Sequence, residues 1–233
     1  MQCLILAGGL GTRMQSVSEH VPKTLISVNG TPFAHHQLTW LASQGVRRVV
    51  YSLGHMANQV MEYVGDGSRW GVDVRYVDEG SSPIGTGGAV RLAVDEGVMD
   101  DGFFVLYGDS YLSVDFAAVW VASSEGQFPL MTVLANEGRW DQSNTIYQDG
   151  QITHYEKGRT DAADIGMRHI DYGLSVLTAK AVRDGETSSD LADLYTSLSL
   201  AGELKGFEVF ERFYEVGSPQ GLADLEAYLK DLP

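Results

Sequence analysis

Short apolar runs alternate with amphipathic stretches over the first 110 positions, and glycine or proline punctuates most of the changes. Cys3-Leu4-Ile5-Leu6-Ala7 has no polar interruption, is too short for a helix and stops at Gly8-Gly9. It predicts a strand covered on both faces. A helix is expected after Thr31-Pro32, with Thr31 as its cap, Phe33, Leu38 and Leu41 on its apolar side, and Gly45 ending it. Strands are predicted over 47–53 and 72–77, and helices over about 55–64 and from Thr86 onward. The run 103–107 reads as a fully buried strand ending at Gly108-Asp109. Strands alternating with helices at this spacing imply a parallel sheet with helices on both faces.

Beyond residue 110 the pattern is more mixed. Strands are expected over 130–134, 145–147, 151–155, 170–177, 207–210 and 212–216, with Asp149-Gly150 as a hairpin turn. A helix is expected over 191–200, and a terminal helix capped by Ser218 and opened by Pro219. No repeat or polar linker divides the chain, so residues 1–233 are read as one domain. The expected fold is α/β, Rossmann-like and three-layered (α/β/α), around a mixed, mostly parallel sheet. In such sheets ligands lie beyond the carboxyl ends of the strands, which puts Gly8 and Asp109 on one rim.

Composition narrows the partners. The formal net charge is −15, which argues against nucleic acid and against an anionic membrane surface. One cysteine, Cys3, lies inside an apolar strand and cannot form an internal disulfide, consistent with a reducing compartment. No basic leader with an apolar core is evident at the N-terminus, and no apolar run reaches the roughly 20 residues of a membrane span. The expectation is a soluble cytoplasmic protein; a homodimer is left open.

Chemistry concentrates in residues 3–23. Gly8, Gly9 and Gly11 let the backbone turn tightly and bring its N–H groups close to phosphate oxygens. Arg13 adds a charged fork and Lys23 a mobile point charge, which together suit the β- and γ-phosphates of a nucleoside triphosphate. The turn is not a Rossmann fingerprint, because Met14 stands where the next glycine is required, and no Gly-Lys-Ser/Thr closes it as a P-loop. Gly85-Thr86-Gly87-Gly88 is a second glycine-rich turn, able to lie flat against a base. Asp109 ends a buried strand where a carboxylate could hold Mg²⁺ together with phosphate oxygens. No Cys/His cluster or nucleophile elbow accompanies them.

The pattern Leu6-Ala7-Gly8-Gly9-Leu10-Gly11-Thr12-Arg13 with Pro22-Lys23 resembles the signature of the sugar-phosphate nucleotidyltransferases. That family joins a sugar 1-phosphate to a nucleoside monophosphate and releases pyrophosphate. The resemblance covers nearly the whole chain and implies a nucleotide-binding half (1–110) and a sugar-phosphate-binding half (111–233). It implies contacts to the nucleotide from Leu6, Gly8, Gly9, Gly11, Thr12, Arg13, Gly85, Thr86 and Gly87. Arg13, Lys23 and Asp109 would be the catalytic residues. Glu215, in Glu215-Val216-Gly217-Ser218-Pro219, stands where the family has an aspartate and would join Asp109 in holding Mg²⁺. Glu156-Lys157 resembles the family's Glu-Lys-Pro element, with Gly158 for the proline. Asp171-Tyr172-Gly173 occupies the place of Asn-Ala-Gly. With Asn144, these residues (Glu156, Lys157, Asp171 and Gly173) are the candidates for the sugar phosphate.

The length and the Glu-Val-Gly-Ser-Pro segment are most similar to bacterial guanylyltransferases acting on D-glycero-α-D-manno-heptose 1-phosphate, which supply GDP-heptose for capsules and other surface glycans. Glu79 offers a physical reason for guanine, since a carboxylate can accept both N1–H and N2–H₂. The close alternative is a uridylyl- or thymidylyltransferase acting on a hexose or amino-sugar 1-phosphate. A sugar-nucleotide-binding regulatory protein without catalysis is the alternative from another class.

Overall fold

The computed structural model describes residues 1–9, 21–186 and 188–231. Its strands are β1 (Gln2–Leu6), β2 (Ser27–Val28), β3 (Thr31–Pro32), β4 (Arg48–Leu53), β5 (Asp73–Asp78), β6 (Gly102–Tyr107), β7 (Ser110–Leu112), β8 (Leu130–Ala135), β9 (Thr145–Gln148), β10 (Gln151–Tyr155), β11 (His169–Thr178), β12 (Lys205–Val209) and β13 (Phe213–Glu215). Its helices are α1 (Phe33–Ser43), α2 (Ala57–Val64), α3 (Gly85–Asp95), α4 (Phe116–Ala122), α5 (Ala179–Asp184), α6 (Leu191–Leu200) and α7 (Pro219–Asp231).

Nine strands form one sheet in the order β5-β4-β1-β6-β11-β8-β12-β10-β9. The first four are parallel, as the β-α alternation implies, and β11 then runs antiparallel to both β6 and β8. The sheet is therefore mixed, and β11 ties the two halves of the chain together. Alternate residues of each strand feed opposite faces. Cys3, Ile5, Phe104 and Leu106 meet α1, α2 and α4 on one side. Leu4, Leu6, Phe103 and Val105 meet α3, α5 and α6 on the other. This is the expected three-layer arrangement, and it explains why β1, β4 and β6 carry unbroken apolar runs.

Several elements differ from expectation. Thr31 does not cap α1: Thr31-Pro32 pairs with β2 across an Asn29-Gly30 turn, and Phe33 N–H donates to Ile26 C=O at 2.9 Å. Helices α4 and α5 were not expected. Asp115 caps the first through Ala118 N–H and Thr178 the second through Ala181 N–H, each at 3.0 Å. The strand expected over 207–210 spans Lys205–Val209, leaving Phe210 81% exposed. That expected over 212–216 is limited to Phe213–Glu215 and pairs with β7 outside the main sheet.

β1 and β6 approach closely at their carboxyl ends, and glycine is what permits it. Gly108 N–H donates to Leu6 C=O at 2.9 Å, and a Cβ on Gly108 would lie 2.8 Å from Ala7 Cβ and 2.9 Å from Leu6 O. Gly108→Ala should therefore cost on the order of 1–3 kcal/mol in urea denaturation by overpacking. Gly9→Ala, whose Cβ would meet nothing within 4 Å, serves as the control and should cost less.

Candidate active site

The rim at the carboxyl ends of β1, β4, β5 and β6 gathers the chemistry. Gly8 follows β1, and the carboxylate of Glu79, one residue past β5, rests against it: a Cβ there would lie 2.3–2.4 Å from the Glu79 carboxyl atoms. Ser52 Oγ donates to Glu79 Oε1 at 2.9 Å, and Glu79 N–H donates to Leu53 C=O at 2.7 Å. Burial raises the Glu79 carboxyl above its ordinary range, the Ser52 hydrogen bond pulls it partly back, and the charge of Asp78 raises it again. Gly11, Thr12 and Arg13 lie outside the described residues.

Asp109 leaves the end of β6, where Lys23 reaches it from a short 3₁₀ turn (Lys23–Leu25); Lys23 Nζ lies 2.9 Å from Asp109 Oδ2. Glu215 arrives from β13, which pairs with β7 so that Glu215 faces Ser110, and Val216 N–H donates to Asp109 C=O at 2.9 Å. All three charged groups look onto Gly217. A Cβ there would lie 2.6 Å from Glu215 Oε2, 3.1 Å from Asp109 Oδ2 and 3.3 Å from Lys23 Nζ. Glu215 also accepts from Gly217 N–H and from the Ser218 hydroxyl, and Ser218 Oγ in turn caps α7 by accepting from Gly221 N–H at 3.0 Å. The positive end of α7 thus steadies the Glu215 carboxylate.

Carboxylate oxygens of Asp109 and Glu215 brought this close beside a residue without a Cβ are the donor type a small hard cation takes. Among the described residues no third Asp, Glu, His or Cys joins to make a metal cage. Asp109 and Glu215 are thus the two described carboxylates here that could hold such a cation, with its other ligands left to groups from outside the protein.

Gln37 was not expected at this site. Its Nε2 donates to Tyr107 C=O at 3.2 Å and to Ser110 C=O at 3.0 Å, bracketing the turn that carries Asp109. The available signal was its position in the stripe Ala34-Gln37-Leu38-Leu41, where an apolar residue would be usual.

The turn Gly85–Gly88 opens α3 at the same rim, but much of its backbone is already engaged. Gly85 has φ +75°, and a Cβ there would lie 2.0 Å from Ser189 O. Gly87 N–H donates to that same carbonyl at 3.0 Å. Thr86 Oγ1 accepts from Leu191 N–H at 3.0 Å and bonds Asp190 Oδ1 at 3.3 Å. These contacts join the turn to the cap of α6, so the Gly87 N–H is not free to read a base edge.

The sugar-side candidates form one connected group. Where β6 ends, β9 takes up the edge of β11, with His169 paired to Thr145. Asn144 Oδ1 accepts from Asp171 N–H at 3.0 Å, and Asn144 C=O accepts from Glu156 N–H at 2.9 Å. Asn144 is thus the joint between the two other elements. Glu156 is held by Arg159 at 2.7 Å and His154 at 3.2 Å, which together keep its carboxyl low. Lys157 is exposed and has no salt bridge among the described residues.

Asp171 sits at a β-bulge with Gly173 at φ +104°, and its Oδ1 accepts from Gly173 N–H at 2.9 Å. Burial pushes its carboxyl up to about 6, against partial relief from that hydrogen bond and from Lys157.

A search for relatives adds the family. The nucleotidyl transferase family model matches residues 2–144. The chain belongs to the nucleotidyl transferase family. A D-glycero-α-D-manno-heptose 1-phosphate guanylyltransferase of Aneurinibacillus thermoaerophilus is 25% identical over 225 residues, covering 94% of each chain. The Campylobacter jejuni protein of the same name is 28% identical over 151 residues, covering 65% of this chain and 65% of its own. A glucose-1-phosphate thymidylyltransferase of Streptomyces antibioticus is 34% identical over 99% of this chain, which spans 62% of that protein. Among solved structures, HddC from Yersinia pseudotuberculosis complexed with GMP-PN matches with TM-score 0.78 and 28% identity, covering 98% of this chain and 99% of that one. In this nucleotidyl transferase the expected α/β architecture and family are thus both found.

The raised Asp171 carboxyl has a testable consequence. An aspartate whose folded value exceeds its unfolded value of 3.8 stabilises the fold fully below pH 3.8, and that contribution is lost as pH rises through about 6. Asp171→Asn removes the ionisation and keeps the acceptor for Gly173 N–H. It should raise stability at pH 7 on the order of 1–2 kcal/mol, and the gain should vanish near pH 4, read by urea denaturation at both values.

Proposed function

We propose that this nucleotidyl transferase condenses a sugar 1-phosphate with a nucleoside triphosphate, releasing pyrophosphate, and that its pair is GTP with D-glycero-α-D-manno-heptose 1-phosphate. The observation that carries the reaction class is the meeting of Lys23, Asp109 and Glu215 around Gly217, on the rim that also holds the Gly8 turn. The names of the Aneurinibacillus and Campylobacter relatives and the HddC complex support guanine and heptose. GDP-heptose made this way would serve surface glycan assembly. The thymidylyltransferase relative at 34% identity supports a second reading, a pyrimidine nucleotide with a hexose 1-phosphate.

The chemistry is in-line displacement. An oxygen of the sugar 1-phosphate attacks the α-phosphorus, the bond to the bridging oxygen breaks, and pyrophosphate leaves with that electron pair. The attacking oxygen is already anionic, so no general base is required. Alignment and charge neutralisation carry the rate. Lys23 is the described cation nearest the reacting centre, held by Asp109 until phosphate competes for it. Arg13 would stabilise the departing pyrophosphate. Lys157 would meet the sugar phosphate at the other end of the rim. Mg²⁺ held by Asp109 and Glu215 would supply neutralisation of phosphate charge. Glu79, with Oε1 held by Ser52 and Oε2 without a hydrogen bond among the described residues, would accept from a donor on the base.

Two measurements test this reading. A matrix of nucleoside triphosphates against sugar 1-phosphates, followed by pyrophosphate release, should peak at GTP with the heptose phosphate; no release from any pair would leave only a binding protein. Arg13→Ala and Lys23→Ala should each lower turnover on the order of 10²–10³-fold under saturating substrate. Normal turnover in either would remove that residue from the mechanism.

A further inference from the structure

Asp171 carries a consequence for the sugar, and the argument rests on the reading above. Strand β11 runs antiparallel to β6 with Leu174 opposite Leu106, so Asp171, three residues earlier, stands past the end of β6 on the rim of Asp109. A Cβ on Gly173 would meet Leu112 and Tyr107 side chains only at 3.8–3.9 Å, so the bulge presses nothing onto this stretch. The Asp171 backbone N–H is taken by Asn144 and its Oδ1 by Gly173 N–H, while Oδ2 has no hydrogen bond among the described residues. The charges of Asp171, Asp190 and Asp109 all raise the Tyr107 phenol, and the charge of Lys157 partly relieves Asp171.

Asp171 thus offers this rim an acceptor, Oδ2, with no partner among the described residues. An ionised carboxylate can only accept hydrogen bonds, whereas an asparagine at the same place would also donate. Asp171 is partly buried, so a second negative group brought against it is opposed with less screening than in open water. Among the described residues the cation whose charge reaches it is Lys157, which the reading above assigns to the sugar phosphate rather than to a substituent on the ring.

We propose that Asp171 makes this site choose its sugar 1-phosphate by charge, taking sugars that offer hydroxyl or ammonium donors to this acceptor and excluding acidic sugars. The class admitted is neutral or amino-bearing sugar 1-phosphates, the heptose phosphate among them. The class refused is uronic acids and other carboxylated sugar 1-phosphates. Because Asp171→Asn keeps shape and the Gly173 contact, the variant removes the charge with little change in volume.

The test uses the full chain with glucose, glucosamine and glucuronic acid 1-phosphates, the last two each differing from the first in one substituent. Wild type should show kcat/KM on the order of 10²-fold lower for the glucuronic acid compound than for glucose 1-phosphate. Asp171→Asn should narrow that gap about ten-fold. Asp171→Ser should narrow it as well, which separates charge from a peculiarity of the amide. A ratio unchanged within two-fold, or an equal loss on all three sugars, overturns the proposal. Should wild type release no pyrophosphate with any of them or with the heptose 1-phosphate, the activity reading fails. Calorimetric binding of the same three compounds to wild type and Asp171→Asn then decides the charge selection by the same ratios. A wild-type preference for glucuronic acid 1-phosphate in either readout also overturns it.

Discussion

Charge is the constraint around which the site is built. The chain has a formal net charge of −15, and its candidate site adds carboxylates from Glu79, Asp109, Asp171 and Glu215 to one rim. Each is stabilised by a different local device. Asp109 is paired with Lys23, Glu215 rests on the amino end of α7, Glu79 accepts from Ser52, and Asp171 accepts a backbone N–H. Only the first is a direct ion pair among the described residues. A ligand carrying phosphate therefore enters a field whose described cations are few, and Lys23 is the one already committed. Competition between Asp109 and phosphate for Lys23 links binding to the release of Asp109. A surface ion pair of this exposure is worth little by itself, so the exchange has a small energetic cost.

Much of this was legible in the chain. The parallel half follows from β1, β4 and β6, whose apolar runs can be buried only from both faces, and the rim then follows from where those strands stop. The neighbourhood of Asp109, Lys23 and Glu215 could be anticipated only through the family pattern, since the three lie far apart in sequence. The helices α4 and α5 were missed because they are only 7 and 6 residues long, too short to show a helical period. What forms them is a side-chain cap and a buried face, which local pattern does not weigh. The Thr31-Pro32 reading failed for a related reason: Asn29-Gly30 offered a tight turn immediately upstream, and the hairpin used the residues a cap would have taken.

Gln37 shows the limit from another side. Its Nε2 holds the Asp109 turn through two carbonyls, while its Oε1 is buried with no hydrogen-bond partner among the described residues. An unpaired buried acceptor costs about 1–3 kcal/mol, so this position is not optimal for the fold alone. Leucine would satisfy the helix stripe and leave Tyr107 and Ser110 carbonyls without a donor. The polar residue in an apolar stripe is thus the trace of the turn it supports, visible once β6 and α1 are placed against each other.

The glycines of the rim admit a similar reinterpretation. Gly8 belongs to a motif that reads as a phosphate-binding turn, yet the atoms that approach it are those of the Glu79 carboxyl. Gly217 is approached by Glu215 and Asp109, and Gly85 by the Ser189 carbonyl. In each case the missing Cβ admits an oxygen of the protein itself. For Gly8 and Gly217 that oxygen is a carboxylate that also faces the site. Glycine at these places therefore serves two demands together, close approach of ligand and close approach of the group that would read it. A substitution there displaces the carboxylate before it obstructs any substrate, so a loss of binding in such a variant reports on the position of Glu79 or Glu215 as much as on the turn.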